Sequence, residues 1–422
     1  MKDSGIEWIK EIPAEWSVAR GKSILKLQKR SPESYEEVIT CFRDGEVTQR
    51  KNRREDGFTF SDKEIGYQGI HTGDLVIHGM DGFAGAIGIS DSDGKGSPVL
   101  VVCTSEQNQR YLMYYLRMLA TQNVFVALAT GIRERSCDLR WNKIAELLFP
   151  IPPMDVQDKI TAFLDNKCSK VDGVIARQQE AIEKLKVYKL SVITEAVTKG
   201  LNPDVPMKDS GYDFIGNIPA SWNVCRLRNI GLPQNGISKG GECFGHGFPF
   251  VSYGDVYKNY ALPKQVTGLV ESSSEEQEKY SVQQGDIFFT RTSETIEEVG
   301  FSCVCEETIP NATFAGFLIR VRPFTDDLLI GFSKYYFRSN HHRLYLVKQM
   351  NLVTRASLGQ DLLKSMPVLI PPKEEQQEIT CYLDKKCDAI ERAILHKQSV
   401  IDNLILYKKS LIYEVVTGKQ EV

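Results

Sequence analysis

The feature that most constrains this chain is that it repeats itself, at two different spacings. Ile151-Pro152-Pro153 through Thr198 aligns without a gap onto Ile370-Pro371-Pro372 through Thr417, a constant shift of 219 residues. Gln157 matches Gln376, Leu164-Asp165 matches Leu383-Asp384, Lys167-Cys168 matches Lys386-Cys387, and Tyr188-Lys189 matches Tyr407-Lys408. A second duplication has a shift of 206. Met1-Lys2-Asp3-Ser4-Gly5 returns as Met207-Lys208-Asp209-Ser210-Gly211, and Ile12-Pro13-Ala14 with Trp16 returns as Ile218-Pro219-Ala220 with Trp222. Each half therefore runs opening motif, variable stretch, repeated block. The intervening parts, about 20–150 and 227–369, share a plan and little sequence.

The repeated blocks read as helical. A Pro-Pro pair suits a first turn, where the missing N–H would lack a partner anyway. The pattern predicts a short amphipathic helix over 155–165 and a longer one over 169–198. In the longer one Val171, Ile175, Ile182, Leu185, Val192 and Ala196 form an apolar seam broken at Gln178 and Lys189. The second copy offers Ile390, Ile394, Ile401, Leu404, Leu411 and Val415, broken at Lys397 and Lys408. A seam of this period asks for a partner helix. Two equivalent blocks in one chain supply it, so an antiparallel coiled coil is expected. Thirty helical residues at about 1.5 Å each would span about 45 Å, long enough to act as a spacer; a mere dimerisation stem remains the alternative.

The variable stretches read as mixed α/β. Strands are expected at 74–77, 85–89 and 99–102 in the first, and at 248–251, 286–290, 301–305 and 317–321 in the second, separated by Gly/Asp turns. Helices are expected at 109–119 and 328–338, each with a tyrosine pair, Tyr114-Tyr115 and Tyr335-Tyr336, read as core. The fold class is then α+β: two mixed α/β domains separated by two long helices, with a pseudo-twofold internal repeat. The divisions fall at 1–150, 151–200, 201–369 and 370–422.

Composition excludes several classes. Hydrophobic residues are 42% and charged residues 25%, a globular balance. No apolar run is long enough for a membrane span, and the N-terminus lacks a secretion-signal core, so a cytoplasmic location is expected. The ten cysteines include no CxxC pair. Cys303 and Cys305 would share one face of a strand, and no zinc spacing of the six histidines accompanies them. A phosphate loop is absent, since Gly94-Lys95-Gly96-Ser97 lacks an upstream glycine. Asp91-Ser92-Asp93-Gly94 has no acid at the twelfth position of a calcium loop, where Val102 stands. Neither a metallohydrolase histidine cluster nor an adenine-methylase Asn/Asp-Pro-Pro-aromatic motif occurs. No catalytic residue, metal site or bound cofactor is expected.

With these residues in view, the chain resembles the specificity (S) subunit of Type I restriction–modification systems, over essentially its whole length. The most specific marks are the Ile-Pro-Pro…Gln…Ile…Leu-Asp opening of each block and the run Glu195-Ala196-Val197-Thr198-Lys199-Gly200-Leu201. The Met-Lys-Asp-Ser-Gly…Ile-Pro…Trp motif and Gly131-Ile132-Arg133-Glu134-Arg135-Ser136 are similar too. The second copy departs at Val415-Val416-Thr417-Gly418-Lys419, and Asn351 to Arg355 replaces the Gly-Ile-Arg run. The resemblance implies two target recognition domains, each reading one half of a split, asymmetric site in double-stranded DNA, with the helix pair setting the gap. It also implies docking of two methyltransferase subunits that bring S-adenosylmethionine, a core that motor-nuclease restriction subunits could join, and no catalysis by this chain.

Base edges are read by Arg, Lys, Asn, Gln, Asp or Glu, and phosphates are held by cations and hydroxyls. The candidates in the first domain are Arg50, Lys51, Arg53 and Arg54 in a basic loop, His78 and Asp81 after a strand, and Arg133 and Arg135. In the second they are Lys239, Ser252, Tyr253, Arg291, Thr292 and Ser293, with Arg355 as counterpart of the Arg133 region. A net charge of −3 is a mild argument against nucleic acid, although only the face meeting phosphate need be positive. Two other readings stand beside this one: a protein-only coiled-coil adaptor, and the specificity subunit of a related system that cuts beside its site.

Overall fold

The computed structural model describes residues 1–33, 35–53, 65–127, 139–293, 299–349 and 356–422. It divides into two units, 1–179 with 398–422, and 180–397. Each contains one sheet domain, one opening motif and a portion of each repeated helix.

The repeated helices depart from expectation in one respect. Each is a single element, Met154–Lys199 and Lys373–Val416, with no break between a short and a long part. The expected break around 165–169 holds Asn166, Lys167 and Cys168, none of which bars helix formation, and Cys168 is buried. Helix 154–199 contributes residues 154–179 to the first unit and 180–199 to the second; helix 373–416 contributes 398–416 and 373–397. In the second unit Glu375 lies against Gly200, while farther along Lys189 donates to Glu391 at 2.6 Å. Numbers climb on one helix as they fall on the other, so the pairing is antiparallel. In the first unit Lys408 donates to both oxygens of Asp172 at 2.7 Å. Lys189 and Lys408 are counterparts across the repeat, as are Asp172 and Glu391, so each unit holds the same ion pair. The two lysines that seemed to interrupt the seam thus cross-link the helices, and a polar contact of that kind fixes register.

The sheet domains share one topology. In the first unit the strand order is Leu25–Leu27, Leu100–Ser105, Leu75–His78, Ile87–Ile89, all antiparallel. In the second it is Gly231–Asn235, Leu318–Pro323, Ile287–Thr290, Ser302–Val304, again antiparallel. Their apolar runs are continuous rather than alternating because both faces are covered. Leu75 and Ile77 join one core and Val76 another; Ile287 and Phe289 join one core and Phe288 another. Cys303 and Cys305 do share a face, opposite Val304, and both are free thiols. The strand runs Ser17–Arg20 with Leu148–Ile151, and Asn223–Arg226 with Pro367–Ile370, close each domain at its base.

A helix docks each domain onto the repeated block. In the first unit this is Gln109–Thr121, in the second Ile330–Tyr336. The buried amide of Gln157 accepts from Asn108 N–H at 3.0 Å and donates to the carbonyl of Pro152 at 2.9 Å. Gln376 does the same with Leu329 N–H at 2.8 Å and Pro371 at 2.9 Å. Tyr114 and Tyr335 donate to Asp165 and Asp384, both at 2.7 Å. The tyrosine pairs are core residues, but their hydroxyls hold the block. The opening motifs pack on helix C-termini: Ile6, Ile9, Ile12 and Trp16 share a core with Leu411, Val415 and Val416, and Ile215, Ile218 and Trp222 share one with Val192, Ile193 and Val197.

Two consequences follow for stability. Gln376→Ala leaves the part-buried Leu329 N–H and the buried Pro371 C=O without the side-chain partner they use, a cost of about 1–3 kcal/mol, visible as a lowered urea midpoint. In the second unit His341 and His342 are fully buried, share Ser339 Oγ at 2.8 and 3.1 Å, and leave both Nε2 atoms without partners. Burial pushes His341 down to about 3 and His342 well below the ordinary value. The unfolded chain takes up protons below about pH 6.5 and the folded one does not. Stability is therefore full above that pH and falls as pH drops toward 3, by up to about 1.4 kcal/mol per pH unit for each histidine. Urea titrations between pH 7.5 and 5 should show this slope, and an unchanged midpoint across that range would contradict it.

Candidate nucleic-acid interface

The structure brings several of the sequence candidates of the first unit together. A cleft of about 280 Å³ is lined by Thr40, Arg43, Arg50, His78, Asp81 and Ser97 among others. His78 ends the strand Leu75–His78, and its Nδ1 accepts from the backbone N–H of Asp81 at 3.0 Å and of Met80 at 3.3 Å. That bond shapes the turn and, among polar contacts, turns Nε2 into the one ring nitrogen left for another acceptor or donor. Burial lowers the His78 pKa, with Asp81 opposing, so the ring is held neutral. Arg43 donates to Asp81 at 2.8 Å while remaining exposed. Arg43 was not among the sequence candidates. Its signal was weak, one cation in the turn joining Ile39–Cys41 to Val47–Gln49.

The basic run around residue 50 is less free than its composition suggests. Arg50 to Asn52 form a single 3-10 turn. The Arg50 Nε lies 3.4 Å from Thr40 Oγ1, and Lys51 pairs with Glu37 at 3.0 Å. Arg53 is held by Glu46 at 2.8 Å and Asp44 at 2.5 Å, over the ring of Phe42. The Arg53 guanidinium keeps the Asp44 carboxyl below its usual range. Arg54, Arg133 and Arg135, with the whole Gly131–Ser136 run, lie outside the described residues, as does Arg355 with the Asn351–Arg355 stretch.

In the second unit Thr290 occupies the strand position of His78, and its Oγ1 accepts from Phe301 N–H at 2.9 Å. Arg291 follows, its side chain 3.5 Å from the carbonyl of Gly316 and its backbone bonded to Phe317 and Leu358. The Gly316 N–H donates to the carbonyl of Ile237, at the start of the Ile237–Lys239 connection. Ala315 N–H donates to Val251, next to Ser252. The segment 315–317 thus gathers Arg291, the 237–239 connection and Ser252, and Phe317 on it is exposed. Three candidates have local structural duties. Lys239 pairs with Glu276 at 2.6 Å. Ser252 caps the short helix Tyr253–Lys258, exchanging bonds with Asp255. Tyr253 stacks on Tyr257 at 5.8 Å. Thr292 and Ser293 form a two-residue strand against Ala356–Ser357. Among the described residues no group of His, Cys, Asp and Glu could hold a metal ion, and no helix is long and apolar enough to cross a membrane.

The family comparison agrees with this arrangement. Residues 219–397 match the family model described as the Type I restriction modification DNA specificity domain. That match covers somewhat less than half of the chain, all of it in the second half, and makes the chain similar to that specificity-subunit family. It is 27% identical over 264 residues to the EcoKI specificity subunit of Escherichia coli K12, covering 60% of this chain and 54% of that protein. It is 22% identical over 347 residues to the EcoBI specificity subunit of Escherichia coli, covering 79% of this chain and 72% of that one. The first of these alignments thus spans only about half of its relative's length. Among solved structures, a chain from work on complex assembly and conformational transition of the type I R-M system superposes with a TM-score of 0.72 at 16% identity, covering 97% of this chain and all of that one. The HsdS subunit from Thermoanaerobacter tengcongensis gives 0.51 at 16% identity, over 97% of this chain and 98% of its own. At such identity the superpositions establish the fold, two mixed α/β domains with paired antiparallel helices.

Proposed function

We propose that the chain is the non-catalytic DNA sequence-specificity subunit of a Type I restriction–modification complex, reading a bipartite, asymmetric site in double-stranded DNA. The observation that carries this reading is one sheet topology presented twice with unlike surfaces, each docked by the same Gln and Tyr–Asp bonds onto one copy of a repeated helix. Residues 1–150 and 201–369 act as target recognition domains, and 151–200 and 370–422 as spacers that fix the gap between half-sites. Two-domain readers with a set separation suit split sites.

The cleft around Arg43, Arg50, His78 and Asp81 and the cluster around Arg291 are the reading surfaces in this proposal. Lys51, Arg53, Arg54, Arg133, Arg135, Lys239, Ser252, Tyr253, Thr292, Ser293 and Arg355 remain candidates for phosphate or base contacts. Two methyltransferase subunits dock on the helical blocks and bring S-adenosylmethionine; restriction subunits join that core. Support for equivalent docking comes from the repeat itself: Val187 and Tyr188 are exposed, and so are their counterparts Leu406 and Tyr407. The work takes place in the cytoplasm.

Mapping methylated adenines across the genome of a host with and without this chain tests the reading. A split motif present only with the chain supports it; unchanged methylation sinks it, leaving the protein-only adaptor. With the reconstituted complex, Arg291→Ala should reduce discrimination at one half-site by about 1–3 kcal/mol and leave the other half-site unaffected. Electrophoretic shifts at several salt concentrations provide the measurement, since phosphate contacts make affinity fall steeply with salt. Equal loss on cognate and scrambled half-sites would remove Arg291 from base reading.

A further inference from the structure

The two units can be compared where each sheet domain meets the Lys189 and Lys408 positions of the repeated helices. In the second unit the ring of Tyr260 lies against a box of conserved-plan residues: Lys189 stands 4.6 Å over it, Arg338 5.0 Å over it, and Tyr335 packs beside it at 5.9 Å. The same Arg338 is satisfied by the chain carrying that ring. Its Nη2 donates to the carbonyls of Val256, Tyr257 and Asn259 at 2.9, 2.9 and 2.7 Å, and its Nε to Ser302 at 2.6 Å.

The first unit keeps the box, and among the described residues no ring stands at the position of Tyr260. Lys408, Arg117 and Tyr114 are the counterparts of Lys189, Arg338 and Tyr335, and all three line a cavity of about 680 Å³. Tyr260 directly precedes Ala261, which bridges Val304 on the last sheet strand; the corresponding edge of the first unit is bridged by Val47 to Ser90, just after Gly45 and Glu46. Gly45 has φ +93, a conformation that disfavours a side chain, and the Arg117 guanidinium lies directly against it, Nη1 being 1.6 Å from where a Cβ would stand.

The charges around the cavity are unevenly satisfied. Asp165 is engaged by Arg110 and Tyr114, Asp172 by Lys408, and Asp44 and Glu46 by Arg53. Arg117, half-buried, makes no hydrogen bond or ion pair among the described residues, although the same position in the second unit makes four bonds to carbonyls. Met113, Ile175 and Ile412 supply apolar wall.

We infer that the cavity between Gly45, Arg117 and Lys408 is a binding site for an aromatic residue of a partner polypeptide, whose ring takes the place Tyr260 holds in the second unit and whose backbone carbonyls bond Arg117. A cation over a ring face is attracted by its quadrupole, more strongly where water is excluded. Buried donors left without acceptors make a site selective for a segment that supplies them. The site goes beyond DNA reading: it concerns the first unit alone and stands or falls by itself.

The second unit provides the probe, a capped, fluorescein-labelled peptide spanning residues 256–262 of this chain, titrated against the full-length protein by anisotropy. Saturable binding is expected, lost when the residue corresponding to Tyr260 in the peptide is alanine. Arg117→Met should weaken binding by about tenfold or more, with its melting curve checked for folding. Ser169→Trp, at an exposed helix position on the cavity wall, should block binding without disturbing the core. Equal binding of the tyrosine and alanine peptides, binding indifferent to Ser169→Trp, or no binding at millimolar peptide overturns the inference.

Discussion

Everything in this fold depends on covering one apolar stripe. A helix of 46 residues with Val171, Ile182, Val192 and Val197 along it cannot stay solvated on that side. Its coverage comes from three sources: the second repeated helix, the docking helix of a sheet domain, and an opening motif seated on the helix C-terminus. Each source is itself part of the duplication. Because the repeat supplies every complementary surface twice, neither copy can be buried without the other. The Lys–Asp and Lys–Glu bridges then select one register among the several an apolar seam permits. Those bridges are half exposed and contribute little energy individually; their role is geometric.

The docking bonds explain why the block begins with the residues it does. Gln157 and Gln376 are wholly buried amides, and each satisfies backbone groups at the junction of a domain helix and the block. Asp165 and Asp384 receive tyrosine hydroxyls about two turns later. A domain whose surface is free to change still has to offer a main-chain N–H and a tyrosine at fixed places. That division lets the outer strands and loops differ while the attachment stays constant. It is the physical content of a frame kept and a content varied.

Much of this was legible in the sequence, for reasons that can be named. The repeat gave the two-unit plan, because covalent order and similarity need no three-dimensional knowledge. Apolar runs such as Ile287-Phe288-Phe289 marked strands buried on both faces. What sequence could not give were facts that depend on partners. Lys189 and Lys408 read as flaws in a seam because their acidic partners lie some two hundred residues away. Arg53 reads as part of a basic loop, because composition alone does not show that Asp44 and Glu46 hold it. The break placed near residue 165 came from reading polar residues as an interruption, where helix propensity carries the chain straight through. Arg43 was missed because its importance lies in reaching Asp81 beside His78.

The departure from symmetry at Gly45 and Tyr260 follows from the same logic. A pseudo-twofold frame presents its two domains with the same box of lysine, arginine and tyrosine. In one unit the box is closed by the domain it carries, and Arg338 is saturated by carbonyls of its own chain. In the other a glycine in a left-handed turn stands at that edge, and Arg117 has no carbonyl acceptor among the described residues. The two sites share a lysine, an arginine and a tyrosine and differ at other wall positions, with Met113 where the second unit has Lys334. Under the proposed reading of a split DNA site, the unlike surfaces of the two sheet domains already distinguish the halves. The open box makes the ends distinguishable on the side of the helical blocks as well, where the repeated exposed pairs Val187-Tyr188 and Leu406-Tyr407 would otherwise look alike to any protein that approached them.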